Sequence, residues 1–149
     1  MAINLRRAGT ADAPAIRALT RDAYAKWVKL IGREPWPMIA DYDVAVRDHL
    51  IDLLTVDGEV VALVEMIAQS DCLLVENLAV APAHRSRGYG RLLMQHAEQV
   101  TTGLGHRTLR LYTNQRFIEN IALYRWLGDQ IDREEVVGAT VVVHMSKMI

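Results

Sequence analysis

The chain of 149 residues is poor in the features that would place it in several common classes. It holds one cysteine, Cys72, so no internal disulfide can form. The apolar run around that residue suits a small buried hydrophobe rather than a reactive thiol. No stretch of about 18 apolar residues is present to cross a membrane. The opening residues, MAINLRRAGTADA, lack the apolar centre of a secretory signal, and a cytoplasmic location is expected. The formal net charge is −1, too small for the broad positive field that draws proteins to nucleic acid. The histidines show no metal-ligand spacing, so no metal is expected. No repeat, low-complexity tract or linker divides the chain, and one domain over residues 1–149 is the expectation. What is present is ordinary globular composition, 51% hydrophobic and 23% charged, on a length that can bury a real core.

The patterning alternates strands and helices. Ile3 to Ala8 alternates as a short strand. Thr10 and Asp12 are capping candidates, and Ile16, Leu19, Ala23, Trp27 and Leu30 recur at helical spacing. Gly32, Pro35 and Pro37 break that helix; a weaker one is expected from Asp41 to His49. Asp57-Gly58 between the apolar runs IDLLTV and VVALVEMI is a hairpin signal. Cys72 to Val80 reads as another strand. Leu93, Ala97, Val100 and Leu104 make a helical stripe closed by Gly103 and Gly105. TLRLYT is a strand, ENIALYRWLG a short helix stopped by Gly128, and IDREEV and TVVVHMSKM a closing strand pair. The sum is a mixed α/β arrangement.

One stretch asks for a chemical explanation: AVAPAHRSRGYGRLLMQHAEQ, Ala79 to Gln99. Arg85, Arg87 and Arg91 surround Gly88 and Gly90 where a helix begins. A helix N-terminus presents unpaired N–H groups and about half a positive charge, and phosphate binds there readily. Glycines without a Cβ let a ligand approach the backbone. A solvated basic turn would read the same way. A Walker loop is excluded because Arg91 and Leu92 follow Gly90, and a Rossmann fingerprint because Leu93 stands where its third glycine belongs.

LAVAPAHRSRGYGRLL resembles the acetyl-CoA signature of the GNAT N-acetyltransferases, Arg/Gln-x-x-Gly-x-Gly/Ala, with Arg85, Gly88 and Gly90 in its defining places. NIALYRWLG is similar to the family's second signature, with Tyr124 in the place of the catalytic tyrosine. The order of elements resembles that fold along nearly the whole chain. The resemblance implies a mostly antiparallel mixed sheet flanked by about four helices, with acetyl-CoA as acyl donor. It implies that backbone N–H groups of Leu78, Ala79 and Val80 hold the pantetheine and thioester. Ser86, Arg87, Gly88, Tyr89, Gly90 and Arg91 would wrap the pyrophosphate. Phe117 stands where the second signature commonly has asparagine; Asn120 and Asn114 lie nearby, and Asn120 is the candidate for that contact. Tyr112 and Asp129 replace an acidic base and an aromatic found in some members.

Acyl transfer to an amine needs the amine neutral, which for a lysine-like group costs about 4–5 kcal/mol at pH 7. Glu76, a carboxylate in an otherwise apolar strand, is the candidate base, and Tyr124 the candidate acid for the departing thiolate. An outward strand charge and a core tyrosine are the alternatives. GREPWPMIADY, Gly32 to Tyr42, falls where the resemblance puts the acceptor. Trp36, Asp41 and Tyr42 there would suit a cationic amine, from a small molecule or a peptide. The β-prone tail TVVVHMSKM suggests pairing with a second copy of the chain. A non-catalytic acyl-CoA-binding domain would keep the loop without needing Tyr124.

Overall fold

The computed structural model describes every residue from Met1 to Ile149. Seven strands form one sheet: β1 (Ile3–Arg7), β2 (Leu50–Val56), β3 (Glu59–Ala68), β4 (Leu73–Val80), β5 (Thr108–Asn114), β6 (Gln130–Val137) and β7 (Thr140–Met148). Their order across the sheet is β1-β2-β3-β4-β5-β7-β6. Every neighbouring pair is antiparallel except β4 with β5. Asp57 and Gly58 both take positive φ, 51° and 85°, as the tight β2–β3 turn demands.

Five helices flank the sheet: α1 (Ala13–Ile31), α2 (Trp36–Ile39), α3 (Tyr42–Asp48), α4 (Tyr89–Gly103) and α5 (Ile118–Trp126). One face carries α1 to α3, where Ile16, Tyr24, Trp27 and Tyr42 pack on Ile51, Leu53 and Leu63. The other carries α4, whose Leu93, Met94 and Ala97 meet Val64, Met66 and Leu109. No helix is long and apolar enough to cross a membrane.

Some local expectations shift. The loop after Gly32 does break α1, yet Trp36–Ile39 makes one further turn. Asp41, not a residue inside the helix, caps α3 by accepting from the N–H groups of Asp43 and Val44. Asp12 supports the turn before α1 by pairing with Arg6 and the Gly9 N–H rather than by capping the helix. Leu104 ends the α4 stripe 44% exposed, because it lies beyond the helix.

Strand β4 decides the shape of the site. Its pairing with β3 matches Glu65 to Asn77 and Met66 to Val75, so Glu76 is a bulge with no partner. An extra residue reverses the faces of everything after it. Before the bulge Leu73 and Val75 point to the α4 core; after it Ala79 joins the α1 core, while Leu78 and Val80 pack toward α4. On its other edge β4 pairs with β5 only from Leu73 to Val75, against Leu109 to Leu111. β5 continues to Asn114 along β7. The two parallel strands therefore part after Val75 and leave a gap in the middle of the sheet.

Candidate active site

Three hollows run through that gap. An outer groove at the start of α4 is bordered by Arg85, Ser86, Gly90 and Leu123. A central cleft lies between Glu76, Asn77 and Leu78 on β4 and Tyr112, Thr113 and Asn114 on β5, with Tyr124 among its walls. An inner pocket is bordered by Trp36, Asp41, Tyr42, His49, Glu65 and Glu76. Tyr24, Leu78 and Asn120 border both outer groove and central cleft. Trp36, Pro37, Glu76 and Asn77 border both cleft and inner pocket. The three hollows are thus one path from the mouth of α4 to the α2–α3 side.

The outer end is built from backbone. Gly88, with φ 81°, and Ser86, with φ 61°, turn the chain into α4, and no side chain caps the helix. The first intrahelical acceptor is used by Leu92, bonded to Gly88 C=O, so the N–H groups before it have no helical partner. A Cβ on Gly90 would lie 3.5 Å from Leu123 Cδ2 and 3.9 Å from Leu78 Cδ2, at the edge of the groove. The arginines divide their work. Arg85 donates to Ala23 C=O at 2.8 Å, tying the loop to α1. Arg87 lies 3.2 Å from His84 Nδ1, and Arg91 sits over the Trp126 ring at 4.8 Å.

In the middle, strand alternation sorts the three backbone N–H groups. Ala81 donates to Val61 C=O, so Ala79, two residues earlier, also faces β3. Leu78 and Val80 face the opposite way, toward the gap. In keeping with this, Tyr24 Oη lies 3.3 Å from Leu78 C=O. The bulge is held from the α1 side: Asn77 accepts from Tyr24 at 2.9 Å and approaches Tyr42 Oη at 3.3 Å. Tyr42 donates to Pro37 C=O at 2.5 Å and is fully buried. It is a wall and a strut rather than a free recognition group, and the Asp41 carboxylate is engaged at its cap. Trp36, 60% exposed, stands at the rim.

The titratable groups gather on the inner side. Glu76 accepts from Tyr112 Oη at 2.6 Å. Glu65, buried in β3, lies 2.6 Å from His49 Nδ1; burial pushes its carboxyl up and the His49 contact pulls it down. Tyr124 is 6% exposed. Burial first, and Asp129 second, push its phenol upward, so it stays protonated at neutral pH. Its hydroxyl makes no hydrogen bond within the protein and is free for a ligand in the cleft. Burial likewise raises the Cys72 thiol, which fits its reading as a buried hydrophobe. His49, Glu65 and Tyr112 were not singled out as site residues by sequence reasoning. Glu65 carries the same cue as Glu76, a lone carboxylate in an apolar strand; His49 carries none.

A thioester could lie along this path with its phosphates at α4, and its carbonyl beside Leu78. An amine could reach it from the inner pocket. The sequence matches the model of the acetyltransferase (GNAT) family over residues 15–129, and the chain belongs to that family. Its fold matches PaiA N-acetyltransferase from Thermoplasma acidophilum in complex with coenzyme A, with a TM-score of 0.83, 18% identity and 100% of both chains covered. It also matches the ribosomal-protein-S18-alanine N-acetyltransferase of Escherichia coli, with a TM-score of 0.81 and 24% identity over 99% of this chain and 94% of that one. A GNAT family acetyltransferase from Elizabethkingia anophelis with acetyl-CoA bound gives a TM-score of 0.74 at 15% identity, covering 99% and 98%. These likenesses are of fold. Among curated proteins none matches this sequence.

Proposed function

We propose that this protein transfers an acetyl group from acetyl-CoA to a primary amine by direct attack, without an acyl-enzyme intermediate. The observation that carries the reading is the single path joining the open mouth of α4, the β4–β5 gap and a pocket with carboxylates. Family membership supports it, as do relatives of the same fold crystallised with coenzyme A or acetyl-CoA. The pyrophosphate would rest on the free N–H groups from Ser86 to Arg91, with Asn120 and the gap-facing N–H groups of Leu78 and Val80 along the pantetheine. Ala79 would serve through the backbone that carries them.

In this reading Glu76 receives a proton from the attacking nitrogen, and Tyr112 holds its carboxylate in place. A hydrogen bond from Leu78 or Val80 N–H to the carbonyl would stabilise the oxyanion. Tyr124 protonates the departing sulfur. A free phenol and a free thiol differ by about 1.5 units, roughly 2 kcal/mol. Burial of Tyr124 widens that gap, so the phenol acts first as a hydrogen-bond donor and yields its proton only as the thiolate separates. Trp36, Asp41 and Tyr42 shape the acceptor pocket, for a small amine or the amine of a peptide in the cytoplasm.

The test is release of free thiol from acetyl-CoA over a panel of polyamines, amino acids, aminoglycosides and peptides. Amine-dependent release is expected. Coenzyme A binding without turnover on any amine would overturn the reading. A homodimer is also proposed, through β6 and β7. β6 is exposed along its whole length and offers Ile131, Val136 and Val137. Light scattering at micromolar concentration should give twice the mass of the chain, and a monomer mass would remove the dimer.

A further inference from the structure

The acceptor nitrogen must lose two protons during acetyl transfer. One leaves when the ammonium becomes a nucleophile. The other leaves as the tetrahedral adduct becomes an amide. One of the two ends on the thiol of coenzyme A and the other in solvent. A single carboxylate at the β4 bulge accounts for one of these transfers. The inner pocket contains a second group suited to the other.

His49 follows α3 and lies beside the centre of β3, where Glu65 is buried with its side chain 5% exposed. Their contact is 2.6 Å at Nδ1. An ionised carboxylate can only accept, so Nδ1 donates and carries the hydrogen of the neutral ring. Nε2 is then left with its lone pair, and it makes no hydrogen bond within the protein. The ring is 28% exposed and borders the same pocket as Glu76. A buried carboxylate that fixes the tautomer of a partly exposed imidazole is the arrangement that makes histidine a base. The other ionisable groups of the pocket are Asp41, Tyr42 and Glu76. Arg47 and Asp48, next to His49 in the chain, are exposed. No lysine or arginine borders the pocket.

We propose that His49, oriented by Glu65, takes the first proton from the incoming ammonium, and that Glu76 takes the second. This rests on the acetyl-transfer reading above. The N–H bonding pair stays on nitrogen, and the proton bonds to Nε2. The imidazolium is stabilised by the Glu65 carboxylate and returns its proton to water at the exposed edge of the ring. The neutral amine then forms the C–N bond to the thioester carbonyl, and its second proton passes to Glu76. The C–S bond breaks with its electrons on sulfur, Tyr124 protonates the thiolate, and the proton on Glu76 restores Tyr124. One proton per turnover leaves through His49. Glu65 is a positioning residue, because it acts through the ring.

Two probe amines of similar size test this: ethylamine, nearly all ammonium at neutral pH, and 2,2,2-trifluoroethylamine, largely neutral there. Thiol release is followed in single turnover with acetyl-CoA already bound. His49→Gln should slow ethylamine by about 10²-fold and leave the fluorinated amine within about threefold, since that amine has no first proton to lose. Glu65→Gln should act in the same way, because the amide can donate to Nδ1 and move the ring hydrogen to Nε2. Glu76→Gln should slow both amines alike. Calorimetric acetyl-CoA affinity equal to the parent's confirms that each variant is folded. Equal slowing of the two amines by His49→Gln would overturn the assignment and leave acetyl transfer standing. No thiol release by the parent protein with any amine would overturn both.

Discussion

Gly88 and Gly90 separate two ways in which glycine serves a phosphate site, and alanine at each gives opposite effects on stability. Gly88 sits at φ 81° just before α4. A side chain in that left-handed region costs about 1–2 kcal/mol, although a Cβ there would touch nothing within 4 Å. For a chain of this size that is a loss of roughly 2–8 °C in melting temperature. Gly90 lies in the first turn of α4 with ordinary φ, and its Cβ would meet only Leu123 and Leu78, no closer than 3.5 Å. Gly90→Ala should therefore be neutral or stabilise by up to about 1 kcal/mol of helix propensity. Yet that methyl stands at the edge of the outer groove. It would hold a phosphate away from the N–H groups and forfeit one or two charge-assisted hydrogen bonds, each about 1.5–3 kcal/mol. Coenzyme A affinity should fall by about 10–100-fold or more in a protein that melts no lower than the parent. Thermal unfolding and calorimetric titration on the same sample read both quantities. A Gly90→Ala variant that binds coenzyme A as the parent does would refute the backbone seat for the pyrophosphate.

Tyr124→Phe keeps the ring and should lower turnover by about 10²–10⁴ with little change in acetyl-CoA affinity; a folded variant with full single-turnover activity would remove Tyr124 from the mechanism. Asp129, whose Oδ2 has no partner, has its carboxyl pushed by burial from 3.8 up to about 6, against the pull of Lys147. Its ionisation costs stability increasingly as pH rises from about 4 to 6, so Asp129→Asn should stabilise by about 1–3 kcal/mol at pH 7 and not below pH 4, as denaturant melts at the two pH values will show. Asn77→Ala leaves the Tyr24 and Tyr42 hydroxyls short of a partner and should cost about 1–3 kcal/mol by the same melts.

What sequence reasoning could reach was what neighbours in the chain decide. The Asp57-Gly58 turn, the stripe of Leu93 and Ala97, and the glycines at the mouth of α4 are local signals, and the strands other than the charged β6 follow from apolar or alternating runs. The β4 bulge left no such mark. Both faces of that strand are covered, so Leu73 to Val80 is apolar almost throughout and has no period-two pattern for an extra residue to break. The groups that complete the inner pocket are equally hidden, because their contacts span the fold. His49 and Glu65 are 16 residues apart, and Glu76 and Tyr112 are 36 apart. Asp41 shows how a local role can hide behind a functional reading. Its charge beside Trp36 and Tyr42 suggests a cation site, and it does border the inner pocket, while its Oδ1 also caps α3.

The bulge and the gap are two results of one choice in β4. A sheet built for stability alone would pair β4 with β5 to its end. Stopping at Val75 leaves the N–H groups of Leu78 and Val80 without a strand partner, and unpaired buried amides cost about 1–3 kcal/mol each. Part of the cost is offset by α1, which sends Tyr24 to the Leu78 carbonyl and, with Thr20, encloses Asn77. The N–H groups receive no such partner from the protein. The reversal at Glu76 meanwhile brings one carboxylate to the boundary of the central cleft and the inner pocket, while Asn77 takes the buried place opposite Glu65. Had Glu76 fallen in register there, it would sit beside a second buried carboxylate and the pair would share a proton. The single inserted residue thus keeps Glu76 out of the buried place beside Glu65, so that in the proposed reaction Glu76 and the His49–Glu65 pair each act on a different proton.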